Sequence, residues 1–113
     1  MSYNWNTRTE LLLGADRMEQ LAHSHVLVVG LGGVGAYAAE QICRAGVGHM
    51  TIVDADTVNE SNINRQLPAL HSTLGMPKAE VMALRLLDIN PRLKLTVVNE
   101  FLRDERTEEI LSA

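Results

Sequence analysis

At 113 residues the chain is one domain at most, and its 46% hydrophobic and 21% charged residues are ordinary for a globular protein with a modest core. A formal charge of −4 argues against a strong nonspecific nucleic-acid surface on this segment, and no apolar run is long enough to span a membrane. The opening residues 1–5 are too polar for a signal peptide, and a single cysteine excludes an internal disulfide or a multi-cysteine zinc site, which fits a reducing cytoplasm.

Residues 1–24 read as an N-terminal helical extension. Arg8 stands ahead of Leu11, Leu12 and Leu13, and Ala15–Ala22 has the pattern of a short helix with Met18, Leu21 and Ala22 on one face. By spacing alone Arg8 is a solvated surface arginine. From residue 25 onward strands and helices alternate, which predicts an α/β fold of Rossmann-like, three-layer αβα type on a parallel sheet. Val26–Val29 is the first strand, expected to be buried on both faces because its apolar run is continuous. Gly30, Gly32 and Gly35 follow at the G-x-G-x-x-G spacing, with Gly33 among them. In that pattern the first glycine makes the tight turn, the second lets backbone approach a phosphate, and the third lets the helix pack on the strand. The helix runs to Ala45, with Val34, Ala38 and Ile42 expected toward the sheet and Gly46 as its C-cap. Its free N–H groups and positive dipole end would face the anion. Cys43, with no histidine or second cysteine near it, is expected to be a small buried hydrophobe.

The second strand begins at Met50 and ends in Asp54, nineteen residues past Gly35, close to the roughly twenty expected for a ribose-binding carboxylate. Asp54 is therefore the ribose candidate, with a turn or cap residue as its alternative, and Asp56 is either a second ligand or a turn cap. Residues 58–66 are a dense run of hydrogen-bonding side chains, including Asn62, Arg65 and Gln66. Such a run is ordinarily a solvated loop, but it follows the carboxyl end of a strand, where ligands bind in open α/β sheets. Arg65 there can clamp phosphate oxygens in a fork that lysine lacks. Gly75 to Pro77 open the next helix, Ala79, Met82, Leu86 and Ile89 share its inner side, and Asn90 and Pro91 end it. Lys78 sits in the first turn, where a cation opposes the helix dipole; it is either a solvated lysine or the partner of a bound anion. A third strand spans residues 93–98 and a closing amphipathic helix residues 104–111. Residues 25–113 thus read as a nucleotide-binding half-domain, three strands of a doubly wound sheet that stops before the fourth. The first strand normally lies in the middle of such a sheet, so the chain is expected to be the N-terminal piece of a longer enzyme.

With Gly30–Gly35, the stretch from Ala45 to Val58, the run from Ser61 to Gln66 and the Gly75–Lys78 quartet in order, the chain resembles the N-terminal part of the ubiquitin-activating-enzyme-like superfamily, the adenylating fold shared by the molybdopterin- and thiamine-pathway activators. A nicotinamide dehydrogenase has no use for the 61–66 run and the downstream lysine together. The resemblance implies ATP over Gly30, Gly32, Gly33 and Gly35, Asp54 on the ribose with Asp56 and Gln66 beside it, and Asn62, Arg65 and Lys78 on the triphosphate and departing pyrophosphate. It also implies that Arg8 reaches across a homodimer into the partner's site, making Arg8, Arg65 and Lys78 the catalytic set. The family's Mg2+-binding aspartate falls beyond residue 113, so no metal ligand is assigned and the fragment alone is not expected to be active. Residues 78–91 and the Trp5 leader resemble most the branch that activates a threonylcarbamoyl group on a tRNA adenosine for cyclisation by dehydration. The alternatives are adenylation of the C-terminal glycine of a ubiquitin-like sulfur-carrier protein, or a non-catalytic nucleotide-binding or dimerisation module.

Overall fold

The computed structural model describes residues 14–100, which build a parallel sheet in the order β1-β2-β3 from β1 (His25–Val29), β2 (His49–Val53) and β3 (Lys94–Val98). The helix α1 (Ala15–Ala22) precedes the sheet, and α2 (Val34–Ala45) and α3 (Lys78–Ile89) lie in the two crossovers that parallel neighbours require. In register, Val28 faces Ile52 and Ile52 faces Val97. Side chains alternate along each strand, so Val26, Val28, Met50, Ile52 and Leu95 share the face that packs on the helices. Ala36, Ala39 and Cys43 of α2 and Ala79, Met82 and Leu86 of α3 meet that face, all closed to solvent. Ala79, Met82 and Leu86 are the inner side expected of α3, with Ile89 partly buried beside them.

Two expectations about burial are corrected. Among the described residues the strand buried along nearly its whole length is β2, from Met50 to Val53, and β1 lies at the edge of the described sheet, with His25 exposed and Val29 51% exposed. An apolar run marks affinity for a sheet, but its burial depends on neighbours the run does not specify. The inward stripe of α2 is Ala36, Ala39, Glu40 and Cys43, with Ile42 partly buried against the core as expected, whereas Ala38 is half-buried and Val34 is 82% exposed. Close packing of α2 on the end of β1 selects small side chains, which a count of hydrophobicity undervalues. A Cβ on Gly35 would run into the Gly30 carbonyl, so the helix starts hard against the strand. Smaller differences concern Ala22, which is exposed while Leu21 reaches the core, and Pro77, which precedes α3 rather than opening it.

Glu40 faces inward because two guanidiniums meet it. Arg44, one turn along α2, and Arg85 of α3 both pair with its Oε1, at 3.1 and 2.8 Å. Burial alone would raise the Glu40 carboxyl, but the hydrogen bonds from Arg44 and Arg85 outweigh it and hold the group below its ordinary range. The triad ties α2 to α3. Gly46 caps α2 in the left-handed conformation at φ 107°, its N–H donating to the Cys43 carbonyl. Cys43 is buried as expected, and burial pushes its thiol up, so it is an inert packing group. The readings for Arg8 and for a helix at 104–111 lie outside the described residues, among which no helix is long and apolar enough to cross a membrane.

Candidate functional site

The carboxyl ends of β1 and β2 are joined first by backbone. The Gly30 N–H donates to the Val53 carbonyl at 2.8 Å, carrying the parallel ladder one step into the glycine turn. Gly30 (φ 85°) and Gly33 (φ 50°) lie in the left-handed region that other residues avoid. Leu31 between them is fully buried and plugs the turn into the core. Its N–H donates to Asp54 Oδ2 at 2.6 Å, and the Asp56 N–H donates to Asp54 Oδ1 at 2.7 Å. Both oxygens of the nearly buried Asp54 carboxylate are thus engaged by backbone amides, which fix the turn against the end of β2. Each oxygen keeps a second lone pair, so this clamp and a ribose hydroxyl are compatible. Leu31 went unnoticed in the sequence; its signal was an apolar side chain set between glycines.

Residues 56–58 then draw α3 into the same corner. Thr57 and Pro77 form an antiparallel bridge, Val58 and Met76 bond at 2.8 Å, and the Lys78 N–H donates to the Asp56 carbonyl at 2.9 Å. Lys78 consequently begins α3 beside Asp54 and Asp56 with only 5% of its surface exposed. Its ammonium has no hydrogen-bond or ion-pair partner among the described residues. The aliphatic stem is packed away while the ammonium itself is not closed off, so this corner offers a positive charge to an anion.

The third contributor is the loop after β2. Asn59 caps the short 3-10 turn Glu60–Asn62: Asn59 Oδ1 accepts from the Ser61 N–H, and Asn62 Oδ1 accepts from the Asn59 N–H, both at 3.0 Å. Asn62 therefore spends its oxygen on the loop itself. Arg65 is exposed and turned back on the loop, its Nη1 donating to the Ser61 carbonyl and to Asn64 Oδ1 at 3.1 Å each. Gln66 goes the other way. Its terminal amide lies over Gly32, where a Cβ would meet Nε2 at 2.9 Å and Oε1 at 3.0 Å. So Gly30, Gly32, Gly33, Gly35, Asp54, Asp56, Gln66 and Lys78 converge at one corner, while the functional ends of Asn62 and Arg65 are held by their own loop. Two grooves of about 330 and 500 Å³ flank the outer side of α3, lined by residues such as Leu70, Leu84 and Leu87, and include none of these.

A family model described as "ThiF family" matches residues 3–113. The chain is similar to tRNA threonylcarbamoyladenosine dehydratase of Bacillus subtilis (strain 168), 45% identical over 103 residues that cover 91% of this chain and 41% of that protein. It is also similar to molybdopterin-synthase adenylyltransferase of Escherichia coli (strain K12), 41% identical over 97 residues, covering 86% and 39%. Among solved structures, Escherichia coli tRNA N6-threonylcarbamoyladenosine dehydratase in complex with ATP superposes with a TM-score of 0.91 at 41% identity, covering 99% of this chain and 47% of that one. The chain spans about two-fifths of the length of the curated relatives it matches.

Proposed function

The chain belongs to the ThiF family, and from that premise we propose that it is the nucleotide-binding part of an enzyme that uses ATP to adenylate a carboxylate. The substrate proposed is the threonylcarbamoyl group on a tRNA adenosine, whose activated carboxylate is then attacked from within the same group and expels AMP, so that the group has lost the elements of water. Support for the substrate is the 45% identity to a dehydratase with that name. The observation that carries the chemistry is Lys78, a largely buried lysine whose ammonium has no counter-charge among the described residues, at the carboxyl end of a parallel sheet beside a glycine turn.

The chemistry suits such a corner. A carboxylate is a poor electrophile because its leaving group would be oxide. Attack of a carboxylate oxygen on the α-phosphorus of ATP forms a mixed anhydride and expels pyrophosphate, after which AMP is the leaving group. The protein must align oxygen and phosphorus and neutralise charge on the pyrophosphate; it needs no nucleophile of its own. Lys78 supplies one positive charge, and Arg65 supplies a second if it exchanges its loop contacts for phosphate oxygens. Asp54 accepts from the ribose with its remaining lone pairs, with Asp56 beside it, and Asn62 offers its amide N–H groups. Mg2+ is proposed to accompany ATP, with its aspartate ligand beyond residue 113; among the described residues no cluster of three or more acidic, histidine or cysteine side chains is placed to hold a metal ion. The working enzyme is proposed to be a cytoplasmic homodimer in which Arg8 completes the partner's site.

The test is pyrophosphate release by the full-length protein with ATP and magnesium, comparing tRNA bearing threonylcarbamoyladenosine with unmodified tRNA. Release that depends on the modification is expected. An enzyme that binds ATP but responds to neither tRNA would shift the substrate to a ubiquitin-like sulfur-carrier protein.

A further inference from the structure

The second glycine of a G-x-G-x-x-G turn is ordinarily explained by the approach of a phosphate to bare backbone. Here the space a Cβ would take at Gly32 is already filled, by the amide of Gln66. Gly32 has no left-handed backbone that would demand glycine, unlike Gly30 and Gly33. Gln66 Oε1 is buried and has no hydrogen-bond partner, and Nε2 donates no hydrogen bond among the described residues. Buried polar atoms in native proteins are almost always partnered, and exceptions cluster where a ligand or a moving part completes them. A methionine or leucine would fill this seat without leaving an orphaned oxygen, so packing alone does not explain the glutamine.

Gln66 is also the immediate neighbour of Arg65, in a loop otherwise held by local bonds of Asn59, Asn62 and Asn64. Its amide reaches from that loop to the turn where the nucleotide would lie. We propose that Gln66 is a positioning residue, seated on Gly32, that couples occupation of the glycine turn to the placement of Arg65. Gly32 is glycine because Gln66 needs the seat. When a nucleotide lies on the turn, the amide regains hydrogen-bond partners and carries the backbone of residues 62–66 with it, so Arg65 is aligned only when phosphate is present. This proposal rests on the reading of the protein as an ATP-dependent adenylating enzyme, but the seat itself is testable without that reading.

The experiment is a double-mutant cycle in the full-length protein with Gly32→Ala, Gln66→Ala and both together, plus Gln66→Met. Melting temperature and ATP–pyrophosphate exchange with the cognate carboxylate substrate are both read. Because the far end of Gln66 is flexible, Gly32→Ala is expected to fold, with the amide pushed aside. It should lower the melting temperature when residue 66 is glutamine and raise it when residue 66 is alanine, since alanine costs the unfolded chain less entropy. Each single alanine variant should slow exchange by roughly 10- to 100-fold, as misplacement of a catalytic group does, and the pair should be no slower than the worse single. Gln66→Met should keep the melting temperature and still lose exchange, mainly in kcat. Multiplying effects in the cycle, or full exchange by Gln66→Met, would overturn the proposal. A reversed melting shift among the variants, together with wild-type protein that binds no ATP and shows no exchange, would leave the seat standing and remove the adenylation reading on which the coupling rests.

Discussion

The glycine turn after β1 and the loop after β2 both carry motif residues, yet they are built on different principles. The turn is held by buried, long-range bonds: Leu31 in the core, its N–H on Asp54 Oδ2, and Gly30 on the Val53 carbonyl. The 59–66 loop is held by side chains bonding their own neighbours, Asn59 to Ser61, Asn62 to Asn59 and Arg65 to Asn64, on exposed surface. A segment of the first kind opens only with the fold, whereas one of the second kind opens at small local cost. The difference suits a rigid cradle for phosphate and a clamp that changes partners when the phosphate arrives.

Gly35→Ala should break the comparison most severely. Its new Cβ meets the Gly30 carbonyl, a backbone atom that cannot swing away, so a loss of at least about 1–3 kcal/mol is expected by denaturant titration, as for overpacking in a core. Asp54→Ala comes next. It strands the Leu31 and Asp56 N–H groups, at roughly 1–3 kcal/mol for each one that stays buried and unpaired, and Asp54→Asn should recover part of that stability. Arg65→Ala should do the opposite of both. The side chain is exposed and its bonds are local, so stability should change by no more than about 0.5 kcal/mol, while ATP–pyrophosphate exchange is abolished. An Arg65→Ala protein with exchange intact would remove Arg65 from the site and reduce the loop to a surface turn.

The buried faces of the helices show how far the sequence could be read. The inner side of α3 was legible because Ala79, Met82 and Leu86 are spaced for a helix and no competing stripe is equally apolar. The stripe of α2 was legible only in part: Ile42 does pack on the core, but Val34, more hydrophobic than Ala36 or Ala39, is exposed. What decided between them is the packing of Ala36, Ala39 and Cys43 in one core with Ala79, Met82 and Leu86 of α3, residues that only the fold brings together. Glu40 shows the same limit. A glutamate one turn from Arg44 looks like an exposed pair, and it is the Arg85 guanidinium from α3 that lets the carboxylate be buried.

By itself the sequence determined the parallel α/β class, the strand–turn–helix unit at Val26–Ala45, the tight turn at Gly30 and the Gly46 cap, and the candidate set around Asp54, Arg65 and Lys78. These follow from local rules: period, turn chemistry and spacing act between residues near in the chain. Only the tertiary structure decided that β1 lies at the edge of the described sheet, that Lys78 is largely buried with no counter-charge among the described residues, and that Arg65 faces its own loop. The same is true of the Gln66 amide in the space at Gly32. Burial and pairing at these positions depend on which distant segments arrive beside them, and no local pattern encodes that.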